Sequence, residues 1–157
     1  MICKEKADFL AKVTSFKQYK ILGLDFGERK IGTGIYDSRI AFAMPYNTIK
    51  RKNIEYDIKE LLKIIKDNNI SGIVIGMPYD LKGRKGKAAE KVDEFCEILN
   101  KFITIPISFE DERFTTAFAN TLLKEVDLNR KKRDKVDDQL AACIILNSFL
   151  NAVLSPI

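Results

Sequence analysis

The chain has 157 residues, enough for one domain with a sizeable core and too few for two comfortable ones. Hydrophobic residues make up 46% and charged residues 31%, and no run approaches the ~18 apolar residues that would mark a membrane-spanning helix. The net charge of +5 suits a polyanionic partner, and the absence of any histidine excludes imidazole catalysis.

The first twenty residues mix Lys4, Glu5, Lys6 and Asp8 with Phe9 and Leu10 and lack the apolar core of a signal peptide, so a cytoplasmic location is expected. A short helix is predicted over 7–17, within an N-terminal extension (residues 1–19) to a single domain spanning 20–157. Ile21–Phe26 is a compact apolar run, predicted to be a buried central strand. Tight turns at Gly27–Lys30 and Asp37–Ser38 lead into strands Ile31–Tyr36 and Ile40–Thr48, an antiparallel meander. A helix follows over Ile54–Asp67, with Ile54, Ile58, Leu61, Leu62 and Ile65 on one stripe. Then come a strand at Ile70–Gly76, a helix at Ala88–Asn100 with Val92, Phe95, Cys96 and Leu99 facing inward, and a fifth strand at Ile103–Phe109. A helix over Thr115–Glu125, a charged loop over Asp127–Lys135 and a last helix over Val136–Val153 complete the order. Cys3, Cys96 and Cys143 form no CxxC pair and are expected to be buried free thiols, as suits a reducing compartment.

Three meandering strands followed by two strands with helical crossovers imply an α/β fold with a mixed five-stranded sheet covered by helices. Right-handed crossovers put the fourth and fifth strands parallel to the first, in the spatial order 3-2-1-4-5 of the ribonuclease H-like fold.

Four stretches carry candidate chemistry. In Leu22-Gly23-Leu24-Asp25-Phe26-Gly27-Glu28-Arg29-Lys30, Asp25 lies near the carboxyl end of the central strand, where open sheets place their ligands, and Arg29 and Lys30 supply charge for phosphate. The plainer use of Asp25 is to cap a hairpin turn. Gly76 to Lys87 puts glycines with Arg84 and Lys85 between a strand and a helix N-terminus, a phosphate-gripping loop that lacks the P-loop pattern; it could equally be a solvated loop. In Glu110-Asp111-Glu112-Arg113, adjacent carboxylates repel one another, and a divalent cation would relieve that. Strand alternation leaves Asp111 and Glu112 both open as the ligand, and Thr115 or Thr116 can cap the next helix. Last, the basic run Arg130-Lys131-Lys132-Arg133 precedes a helix opening with Asp137 and Asp138, where helix capping is the plainer use of an aspartate.

Together these stretches resemble the YqgF/RuvX family, described as Holliday junction resolvases and pre-rRNA processing nucleases, over roughly residues 20–151. LGLDFGERKIG resembles the family's first-strand motif, GMPYDLKGRKGKAAE its glycine-rich loop, DERFTT its most specific segment, and KVDDQLAACIIL its closing helix. The resemblance implies that Asp25, Glu112 and Asp138 are catalytic, metal-binding carboxylates, its frame choosing Asp138 over Asp137. It places Arg113 and Thr115 beside the substrate. Two features depart from the family pattern: residues 1–19 exceed the usual lead-in, and Glu28 adds negative charge to a turn that is often basic.

The expected activity is that of a Mg²⁺- or Mn²⁺-dependent nuclease on structured nucleic acid, either processing the pre-16S rRNA 5′ end or resolving Holliday junction DNA. Phosphates would be held by Arg29, Lys30, Arg84, Lys85, Arg113, Thr115 and Arg130–Arg133 without reading sequence. Expected partners are nucleic acid and ribosomal particles, with no membrane, and the chain acts as a monomer or homodimer. One rival is a non-catalytic RNA- or ribosome-binding module of the same fold. Another is a sugar-kinase or actin-like ATPase, since Asp25-Phe26-Gly27 fits their phosphate loop too, but those need two such domains. The fifth strand should lie about 10 Å from the first, so Glu112 has to reach past the fourth to meet Asp25.

Overall fold

A computed structural model describes the backbone of residues 1–113 and 130–154, and the side chains of these except 130–137 and 152–154. Strand β1 (Lys20–Phe26) is central, with Ile21 to Leu24 buried because helices cover both faces of the sheet. It pairs antiparallel with β2 (Lys30–Asp37), which pairs antiparallel with β3 (Phe42–Lys50). On its other side β1 pairs parallel with β4 (Gly72–Met77), and β4 pairs parallel with β5 (Ile107–Asp111). The order β3-β2-β1-β4-β5 is the one expected.

Helices α2 (Ile54–Asp67) and α3 (Lys87–Asn100) cover one face, packing Ile58, Leu61, Ile64, Val92, Phe95, Cys96 and Leu99 on Leu22, Leu24, Ile73 and Ile75. Asn53 caps α2 by accepting the Tyr56 amide at 2.7 Å. Ile54, placed on the buried stripe by its spacing, is the first residue of α2 and is 38% exposed. The opposite face is covered by α1 (Lys6–Val13) and by a long helix, α4 (Arg130–Leu154), through Phe9, Leu10, Val13, Ile145, Leu146 and Phe149. All three cysteines are buried free thiols, and burial pushes Cys96 up to about 12.

Several boundaries differ from expectation, among them the end of α1, which falls at Val13 rather than at residue 17. β3 starts at Phe42, because Ile40 and Ala41 complete a turn in which both amides donate to the Asp37 carbonyl and Ala41 has φ 51°. β5 starts at Ile107 rather than Ile103, and Pro106, which has no amide to donate, immediately precedes it. β5 also runs on through Glu110 to Asp111, opposite Met77. The basic run 130–135 is the first part of α4 rather than a loop, since Lys and Arg favour helix when nothing breaks it. The helix expected over 115–125 lies outside the described residues.

The hairpin after β1 is held from behind by Arg51. Its Nε donates to Asp57 at 2.9 Å, its Nη1 donates to the Gly27 carbonyl at 3.0 Å, and its guanidinium lies 4.3 Å from the Phe26 ring centroid. Asp57 is fully buried, and it also accepts the Lys52 amide at 3.2 Å. Removing one partner of a buried pair strands a charge, so Arg51→Ala is expected to cost about 3–5 kcal/mol in urea unfolding at pH 7. A cost below about 1 kcal/mol would class the pair with ordinary surface salt bridges.

Candidate active site

Asp25 is the second-last residue of β1, and its partner across the ladder is Gly32 of β2. Opposed residues of an antiparallel pair share a face, here the face under α4. A Cβ on Gly32 would collide with the backbone of Asp138, so the missing side chain lets α4 settle onto the sheet beside Asp25. Gly23 makes the same allowance two residues earlier, where a Cβ would lie 2.7 Å from the Ala142 carbonyl. The close approach of α4 to the sheet therefore depends on glycines of the strands.

Glu112 follows the end of β5, its amide donating to the Met77 carbonyl at 3.1 Å. From there its side chain crosses the end of β4 above Gly76, where any Cβ would strike its carboxylate and Ile145. The crossing carries it to Asp25, with which it shares a hydrogen bond. The two-strand gap that separated these residues in sequence is thus bridged by one side chain passing over a glycine.

Burial raises Asp25 above the ordinary carboxylate range, and the nearby charge of Asp138 raises it further. Burial and the Asp25 charge push Glu112 up to about 8, so Glu112 carries the proton of the pair and donates it to Asp25. The other two acids of the cluster are engaged elsewhere. Asp111 accepts both Nε (2.8 Å) and Nη2 (2.5 Å) of Arg113, whose hydrogen bonds hold its carboxyl below the usual range. Glu110, 7% exposed, takes the Lys6 ammonium at 2.7 Å. Among the described residues no three histidine, cysteine or carboxylate side chains close on one point as a finished metal site. Asp25 and Glu112 meet directly, and Asp138 acts on Asp25 through its charge.

The cations expected to hold phosphate are described only in part. Arg29 and Lys30 are exposed on the hairpin after Asp25. Arg84 pairs with Asp80 at 3.0 Å and Lys85 with Asp93 at 2.7 Å, and both remain largely exposed. Asp80 also accepts the amides of Lys82 and Arg84, which folds the glycine-rich loop on itself around Gly83 at φ 78°. Arg113 lies against Gly83 and 5.9 Å from the Tyr79 ring centroid, joining that loop to the end of β5. Thr115 lies outside the described residues, as do the side chains of Arg130, Lys131, Lys132, Arg133 and Asp137. Sequence reasoning missed Arg51, Asp57 and Lys6, whose roles depend on contacts that no local pattern announces.

Residues 19–152 match the RuvX family, described as Holliday junction resolvase. The chain belongs to that family. A RuvX relative from Clostridium acetobutylicum, named "Putative pre-16S rRNA nuclease", is 42% identical over 134 residues, which is 85% of this chain and 99% of that protein. One of the same name from Rickettsia typhi is 41% identical over 133 residues, 85% of each chain. Among solved structures, Thermus thermophilus RuvC in complex with a Holliday junction substrate superposes with a TM-score of 0.55 at 14% identity, covering 85% of this chain and 95% of that one. The fowlpox virus resolvase with Holliday junction DNA gives 0.50 at 10% identity, covering 85% and 99%. At such identities the likeness shows a shared ribonuclease H-like fold.

The raised carboxyl has a consequence for stability. Glu112 ionises in the unfolded chain near 4.5 and in the folded chain near 8, so between those values the folded state binds more protons. The contribution of Glu112 to the stability of the chelator-treated protein is therefore expected to be full below about pH 4.5 and to be lost as pH rises toward 8. Glu112→Gln should flatten that decline in thermal melts. A Gly76→Ala substitution, by driving Glu112 away from Asp25, should flatten it too; an unchanged decline in both variants would contradict the shared-proton pair.

Proposed function

We propose that this chain is a nuclease that hydrolyses phosphodiester bonds in structured nucleic acid, with pre-16S rRNA 5′-end processing preferred over junction resolution. The observation that carries the proposal is the Asp25–Glu112 pair, brought together over Gly76 at the carboxyl ends of the strands in a chain of the RuvX family. The names borne by the relatives support the ribosomal RNA substrate, and those of the solved structures support a branched one.

The donor set suits a hard divalent cation such as Mg²⁺ or Mn²⁺: it consists of carboxylates alone, and two of them stay together here only by sharing a proton that a cation would replace. Asp25, Glu112 and Asp138 would hold it, and its chemistry would be to polarise the phosphoryl group and lower the pKa of water. The remaining work belongs to the chain. Arg29 and Lys30 on the first hairpin, Arg84 and Lys85 on the glycine-rich loop, and the Arg130–Arg133 run would fix the phosphate backbone in register. Arg113, clamped by Asp111, would keep the loop against the strand end, with Thr115 close by in sequence. Residues 20–157 are read as the catalytic domain and 1–19 as an addition to it.

Among the described residues no helix is long and apolar enough to cross a membrane. We place the protein in the cytoplasm, where pre-rRNA and ribosomal particles are found, as a monomer or homodimer.

Purified protein should cleave precursor rRNA and four-way DNA junctions to different extents when both are assayed side by side with Mn²⁺, and neither without it. Asp25→Asn should lower the faster rate by at least about 100-fold, since cation-assisted stabilisation is worth several kcal/mol. Undiminished Mn²⁺-dependent cleavage by Asp25→Asn would remove the assignment, and RNA binding with no cation uptake would favour a binding module instead.

A further inference from the structure

The family match begins at residue 19, so the N-terminal extension lies outside it and the shared fold does not account for it. In the structure residues 1–13 of the extension pack against the fold. Ile2 forms a parallel bridge with Ile107, the Cys3 amide donates to the Ile107 carbonyl at 2.7 Å, and the Ile107 amide donates to the Met1 carbonyl at 2.7 Å. The edge of β5 is thereby paired at its first residue. The chain then turns back as α1, antiparallel to β4 and β5. Phe9 and Val13 occupy the space left by Gly72 at the start of β4, and Phe9 meets Phe149 of α4 edge-on with centroids 5.3 Å apart.

This direction brings the first residue of α1, Lys6, to the end of β5. Its ammonium lies 2.7 Å from the Glu110 carboxylate and 5.0 Å from the Phe149 ring centroid, so one side chain ties β5 to α4. These are the elements that carry or lead to Glu112 and Asp138. Glu110 is 7% exposed and two residues before Glu112. A buried carboxylate without its cation is drawn toward water. Near the end of β5 that movement shifts the backbone that aims Glu112 across Gly76.

We propose that Lys6 is a positioning residue for Glu112, and that residues 1–13 serve to hold the carboxylate-bearing end of β5 against α4. Lys6 itself touches neither substrate nor cation. The proposal rests on the reading of Asp25 and Glu112 as the cation-holding pair, and its test separates the two.

Calorimetric titration of the full chain with Mn²⁺ alone gives a readout independent of cleavage. Lys6→Ala is expected to weaken Mn²⁺ binding by about tenfold, the low end of what supporting partners of metal ligands contribute. Lys6→Arg, which keeps a cation in reach of Glu110, should restore it. Phe9→Leu loosens α1 without touching the ion pair, and should lower the melting temperature while leaving Mn²⁺ affinity near wild type. Equal or tighter Mn²⁺ binding by folded Lys6→Ala would overturn the positioning role. So would a loss in Phe9→Leu matching that in Lys6→Ala at the same fall in melting temperature, which would mark the extension as a structural cap. Wild-type protein that takes up no Mn²⁺ would overturn the cation reading, and this proposal with it.

Discussion

A carboxylate at the end of β5 meets one near the end of β1 across the strand between them, and the site depends on that contact. Neighbouring strands are ~4.8 Å apart, so the direct route is closed to a side chain unless the intervening strand end is bare. Gly76 supplies the bare end, and Gly32 lets Asp138 approach from the helix above. Two absent side chains thus set the positions of three carboxylates. The energetic result is a pair of acids held together at neutral pH by a shared proton.

The surroundings hold this arrangement in place. Arg51 fastens the hairpin behind Asp25 through a fully buried aspartate and two carbonyls. Arg113 takes up Asp111, and Lys6 takes up Glu110, so each acid of the triplet has its own partner. Three adjacent carboxylates that would repel one another as a bare cluster are instead divided among a guanidinium, an ammonium and a second carboxyl.

Much of the fold was legible because the sheet is buried in its middle. The apolar run Ile21–Leu24, the helical spacing of Ile58 and Leu61, and the inward set on α3 reflect burial that sequence periodicity reports well. Boundaries were less legible where composition misled. Ile103 and Ile105 extend an apolar pattern ahead of Pro106, and the charged run 130–135 looks like a loop although its residues favour helix. Asp25, Glu112 and Asp138 could be named from their motifs. Their geometry could not, since it turns on which glycines lie under which side chains. The partnership of Lys6 with Glu110 joins residues 104 positions apart, and that of Arg51 with Asp57 spans six, a separation that no helical or strand period marks.

The central claim is that a divalent cation displaces the proton held between Asp25 and Glu112. Calorimetric Mn²⁺ titrations at pH 7, repeated in buffers of different ionisation enthalpy, count the protons released per ion bound. The shared-proton pair predicts release of about one proton in the wild-type protein and close to none in Glu112→Gln. Mn²⁺ binding with no proton release from the wild type, or with the same release from Glu112→Gln, would contradict the account.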